Sequence, residues 1–116
     1  MVAVKVLLGI LSVTAYQATP AQTKPECLDN WHCYTSIDEP VMPAGCAVSQ
    51  DLLKSGRVKY REWLYVEGFG YCYVNDTMNA RHRESIDLFA WTPADEHRVQ
   101  PHKAKVYLLR KERKRG

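Results

Sequence analysis

The sequence contains no hydrophobic run long enough to cross a bilayer as a helix. Its longest apolar stretch, Val6 to Ala15, falls short of the roughly 20 residues that a spanning helix requires. No Cys-x-x-Cys pair occurs, and His32, His82, His97 and His102 fall at no paired-ligand spacing, which argues against a structural zinc site and leaves each histidine as a surface residue. Nothing calls for another cofactor. The first cysteine after the apolar stretch is Cys27, too far along for a lipid-anchoring box. Charge of one sign is also scarce: 16 basic against 13 acidic residues give +3. Arg110–Gly116 carries an excess of +4 and leaves the other 109 residues at −1, so a nucleic-acid partner is not indicated. With 116 residues, 46% hydrophobic and 25% charged, the chain has room for one small globular core.

The N-terminal region reads as an export leader. Met1–Lys5 provides a short positive start, Val6–Ala15 an apolar centre, and Thr19-Pro20-Ala21 a small-residue cleavage site, which places the leader at 1–21 and the protein in a secreted or periplasmic location, with wall or outer-membrane association. The other readings of the same run are an N-terminal core strand and an uncleaved anchor, because short apolar stretches carry more than one signal.

In an exported chain of this size, four cysteines read as two disulfides, for which three connectivities exist. Loop placement favours Cys27 with Cys33 and Cys46 with Cys72. Residues 22–43 are polar and hold Pro25, Pro40 and Pro43, the pattern of an irregular arm pinned by the first bridge. The body, 44–109, alternates short β-prone runs with turn residues: 46–49, 63–67, 71–75, 85–91 and 105–109. Short helices are expected at 50–54 and 93–98, the second with Thr92 as N-cap and Pro93 as its first residue. A basic tail, 110–116, follows. Strands at this density predict a mostly β closed barrel, since closure removes exposed edges.

Two acids stand out in the body. Asp76 ends a strand and opens a loop, whereas Asp87 sits inside one, on the face shared by Phe89 and Trp91 and opposite Ile86 and Leu88. A carboxyl among aromatic rings and near a second carboxylate is the arrangement that keeps an acid protonated for general acid catalysis. The same residues are compatible with a turn-capping Asp76 and a solvent-facing Asp87.

Cys46-Ala47-Val48-Ser49-Gln50-Asp51-Leu52-Leu53, Leu64-Tyr65-Val66-Glu67-Gly68-Phe69-Gly70, Asp76-Thr77 and Ile86-Asp87-Leu88-Phe89 together resemble the 3D domain, a family named for three aspartates. Val106-Tyr107-Leu108-Leu109 matches its closing strand, so the resemblance covers residues 46 to 109, and Tyr34-Thr35-Ser36 is similar to the strand that often opens the domain. The resemblance implies a small six-stranded double-psi β-barrel with one or two short helices. That fold is shared with the C-terminal part of membrane-bound lytic transglycosylase A and with small stationary-phase muralytic proteins. The implied partner is the peptidoglycan glycan strand, met by a monomer.

By position, Asp87 falls on the family's third aspartate, its catalytic acid/base, and Asp76 on the second. Ser49 stands where the first would be. Met78-Asn79 replaces the usual Gly-Gly, and the family's loop lysine has only Arg81, His82 or Arg83 near its place. The implied activity is lytic-transglycosylase-like cleavage of the MurNAc–GlcNAc bond, with Ser49, Thr77, Asn79, Tyr34 and Trp91 as substrate contacts and Tyr73 as a further ring. The missing first aspartate supports an alternative, a wall-binding module that keeps the groove without turnover.

Overall fold

A computed structural model describes residues 2–16, 35, 37, 39, 44–89, 99 and 101–112. Six strands and one helix follow in order: β1 (Val2–Tyr16), β2 (Gly45–Val48), α1 (Gln50–Lys54), β3 (Trp63–Val66), β4 (Gly70–Thr77), β5 (Ser85–Phe89) and β6 (His102–Glu112). The strands close into a barrel in the order β1-β5-β2-β4-β3-β6. Two neighbouring pairs are parallel, β1 with β5 and β2 with β4; the other four are antiparallel. The expected small, mostly β, six-stranded barrel is therefore observed.

Alternation explains how each strand contributes. Leu11 and Val13 of β1, Cys46 and Val48 of β2, Leu64 and Val66 of β3, Cys72 and Val74 of β4, Ile86 of β5 and Val106 and Leu108 of β6 point into one core. Leu52 from α1 and Val58 from the following loop plug it. The Cys46–Cys72 disulfide, joining β2 to β4, lies within that core. Cys27 and Cys33 lie outside the described residues, as do Tyr34, Trp91 and the helix expected at 93–98.

The apolar run read as a leader is a barrel strand. Val2–Tyr16 is antiparallel to β6 along nearly its whole length and parallel to β5 from Ser12 to Tyr16, and Leu11 and Val13 are fully buried. The barrel thus extends beyond 44–109 at both ends: Arg110–Glu112, expected in the tail, belongs to β6 and pairs with Val2–Val4. Thr35, expected in an opening strand, instead folds a local turn in which its hydroxyl accepts the N–H groups of Ile37 and Glu39. β1 fills the opening role because its apolar residues satisfy the barrel's alternation.

Two irregularities shape the wall. In β1 the register with β6 shifts between Leu7 and Gly9, and Gly9 takes φ +149, a value that favours glycine. Arg57 clamps this bulge, donating to the Leu8 carbonyl at 2.7 Å and to Glu84 at 3.2 Å. In β4 the register with β2 jumps from Cys46↔Val74 to Ala47↔Asp76, leaving Asn75 as the extra residue.

Candidate functional site

The β4 bulge decides where Asp76 lies. In unbroken pairing, Ala47 would face Asn75 and strict alternation would turn Asp76 inward. The extra residue absorbs one step: Asn75 is 1% exposed, while Asp76 becomes the partner of Ala47. Asp76 accordingly lies at the end of β4, one residue before its last. Its Oδ1 accepts the Thr77 N–H at 2.8 Å.

Asp87 reaches the same surface from the other side. It is the antiparallel partner of Ala47 and the parallel partner of Thr14, so Thr14, Asp87, Ala47 and Asp76 form one row across β1, β5, β2 and β4. Cross-strand partners share a face, and two strand spacings put the Asp76 and Asp87 backbones about 10 Å apart. The Thr14 hydroxyl donates to Asp87 Oδ1 at 2.7 Å. Both aspartates are half-buried. Ile86 lies in the core and Leu88 packs against it, the orientation that alternation predicts for β5.

Between the carboxylates lies a small apolar cluster separate from the barrel core: Tyr16, Ala47 and Met78, with Phe89 packed against them. Tyr16 and Phe89 are register partners one step beyond Thr14 and Asp87, and their rings meet edge-on at 5.6 Å. Burial pushes the Tyr16 hydroxyl well above the ordinary phenol range, and the negative charges of Asp76 and then Asp87 push it further. It is therefore a hydroxyl that keeps its proton beside two acids. The sequence reading missed Thr14 and Tyr16 because they lie in the run taken for a leader. Their spacing by two in a β-branched and aromatic stretch was the available signal.

The remaining candidates divide. Ser49 does not join the open row: it is fully buried, and its hydroxyl accepts the Ser85 N–H at 3.0 Å. Desolvation raises the Asp51 carboxyl, but hydrogen bonds from the Ser49 hydroxyl and the Glu84 and Asp51 N–H groups, with the charge of Arg83, outweigh it and hold Asp51 below its ordinary value. Ser49 is thus a buried joint between α1 and β5. Thr77 is half-buried beside Asp76, its hydroxyl donating to the Val48 carbonyl at 3.2 Å. Asn79 is exposed and shapes a turn by accepting the Arg81 N–H at 3.1 Å. His82 and Arg83 line, with Lys54 and Asp51, an open depression of about 350 Å³ to which neither Asp76 nor Asp87 contributes.

Among the described residues no group of three or more His, Cys, Asp or Glu side chains could hold a metal ion, and no helix is long and apolar enough to cross a membrane. No family model and no curated protein matches the chain. Chemically, the site offers two carboxylates on one face, a threonine hydroxyl fixing one of them, and a protonated tyrosine on an apolar floor.

Proposed function

We propose that the protein acts on peptidoglycan, cleaving the MurNAc–GlcNAc bond as a lytic transglycosylase with Asp87 as the acid/base. The observation that carries the reading is the flanking of Ala47 by Asp76 and Asp87 on one outer face. The sequence resemblance to the 3D domain, and with it the double-psi winding, belongs to the same proposal; the pair of parallel strand contacts in the closed barrel accords with it.

In this mechanism, Asp87 gives its proton to the glycosidic oxygen as the bond to C1 breaks, and positive charge builds at C1 and the ring oxygen. The resulting Asp87 carboxylate takes the proton of the C6 hydroxyl, whose oxygen closes on C1 to give a 1,6-anhydro sugar. The substrate supplies its own nucleophile, so one carboxyl performs both proton transfers. Thr14 holds the Asp87 carboxyl in one rotamer. Asp76, across Ala47, is placed to stabilise the positive charge, and Tyr16 to donate to a sugar oxygen. The working site lies outside the cytoplasm, in a secreted or periplasmic monomer. The buried Cys46–Cys72 bridge supports that location, because disulfides persist in oxidising compartments.

The test is release of 1,6-anhydro-muropeptides from purified sacculi. Wild type is expected to release them, and Asp87→Asn to abolish release with a nearly unchanged thermal midpoint. Absence of release by the wild type sinks the enzyme reading. The second reading, a wall-binding module without turnover, draws on Ser49: at the place of an aspartate stands a neutral, fully buried residue. Sacculus binding without release is its signature.

A further inference from the structure

The buried barrel core is built from aliphatic side chains and cysteines, while five aromatic residues gather on one outer wall. Four of the seven tyrosines, Tyr65, Tyr71, Tyr73 and Tyr107, share the outer face of β3, β4 and β6 with Trp63. Trp63 pairs with Tyr73 and Tyr65 with Tyr71, a two-by-two block of rings that Tyr107 extends from β6. Ring centroids lie 5.4 Å apart for Trp63–Tyr73, 5.0 Å for Tyr65–Tyr71 and 6.3 Å for Tyr65–Tyr107. Trp63 and Tyr71, diagonal in the block, are 42% and 53% exposed, values the barrel's own packing does not explain. The Lys5 ammonium sits over this floor, 3.8 Å from the Tyr65 centroid and 5.8 Å from that of Tyr71.

We infer that this face is a second, non-catalytic binding surface for an anionic polysaccharide. Pyranose rings present C–H faces that stack on electron-rich aromatic rings, and their hydroxyls find partners in phenol groups, which aliphatic surface lacks. Charge selects within that class: Lys5 places a cation directly on the ring floor, complementary to a polymer bearing carboxylates. In the strand order the ring face occupies β4, β3 and β6 and the aspartate row β1, β5, β2 and β4, so the two meet at β4, where Tyr71 and Tyr73 precede Asp76 along one strand. A long or layered polymer can engage both at once, and holding it by one face raises its effective concentration at the other. The inference shares its polymer with the proposed function but not its residues.

The test is co-sedimentation of the full chain with purified sacculi, with cellulose as the uncharged comparison. Trp63→Ala/Tyr71→Ala is expected to bind sacculi about tenfold or more weakly, from the loss of two stacking rings. Its thermal midpoint should stay near wild type, since both side chains are exposed, and Trp63→Phe/Tyr71→Phe should retain most of the binding. Lys5→Gln is expected to weaken binding to sacculi, flatten its salt dependence and leave any binding to cellulose unchanged. Release of 1,6-anhydro products from soluble glycan fragments by Trp63→Ala/Tyr71→Ala should match wild type. Sacculus binding by this double variant equal to wild type overturns the inference even where glycan cleavage is observed. So does a wild-type dimer that the double variant dissociates without a change in sacculus binding. Weakened binding by the double variant supports the inference even where no cleavage occurs, so the two proposals fail separately.

Discussion

Thr14 and Asp87 face each other across the parallel pair β1 and β5, and the threonine hydroxyl donates to the carboxylate over 2.7 Å. A typical intramolecular hydrogen bond contributes about 0.5–1.5 kcal/mol net, and a buried acceptor left unpaired costs about 1–3 kcal/mol. Thr14→Val, which keeps the shape of the side chain, is expected to lower unfolding free energy at neutral pH by about 1–2 kcal/mol in urea titrations. Thr14→Ser should recover most of that loss. Equal stability of the valine and serine variants would show that the hydroxyl contributes nothing.

Removal of residues 1–21, the segment that reads as a leader, is expected to abolish the cooperative fold. β1 seals β5 to β6 and buries Leu11 and Val13, so its loss opens the barrel on two edges. Circular dichroism and thermal melting of the shortened chain provide the check. A sharp transition close to that of the full chain would mean that β1 is dispensable. Val13→Asp in the full chain, which buries an unpaired charge, should destabilise in the same direction.

Reduction of the Cys46–Cys72 bridge should lower stability by about 3.5 kcal/mol on the loop-entropy account, given a sequence separation of 26. Because both sulfurs are buried, Cys46→Ala/Cys72→Ala tests the link without leaving thiols in the core. The comparison is the urea midpoint of oxidised wild type against this variant. Coincident midpoints would assign the bridge no role in stability.

Asp51 sets an acid-side dependence. Its carboxyl is held below the ordinary value of 3.8 in the folded chain, so it contributes stability above the unfolded-state value and loses it as pH falls through the folded-state value. The wild type should therefore lose stability relative to Asp51→Asn as pH drops from the ordinary carboxylate range downward, and the two curves should run parallel above it. Thermal midpoints from pH 7 to pH 2 provide the measurement, and parallel curves throughout would remove the assignment.

Much of the barrel was legible because β2 to β6 carry alternating residues between glycines and turns, and period-2 alternation alone turned Asp87 outward. β1 was not, because a short positive start followed by Val6–Ala15 satisfies an export leader and a barrel strand equally. Only tertiary pairing with β6 separates them. Asp76 was legible as the residue that closes a strand, but the face it takes was not. Its strand contains a bulge at Asn75, and a one-residue register change leaves no mark in a pattern of Val, Asn, Asp and Thr. Ser49 was assigned to the site by position, but hydroxyls serve buried joints as readily as open clefts, and its partners come from Ser85 and Asp51, which the sequence does not bring together.

The strand that closes the barrel also carries Thr14 and Tyr16, which gives site formation a kinetic consequence. Thr14 and Asp87 are 73 residues apart, so their meeting closes a loop spanning most of the chain, a class of contact that forms slowly because its entropy is lost before its energy is gained. Docking of β1 onto β5 and assembly of the aspartate face are one event. A chain emerging from synthesis has β1 well before β5, and throughout that interval the aspartate face is incomplete.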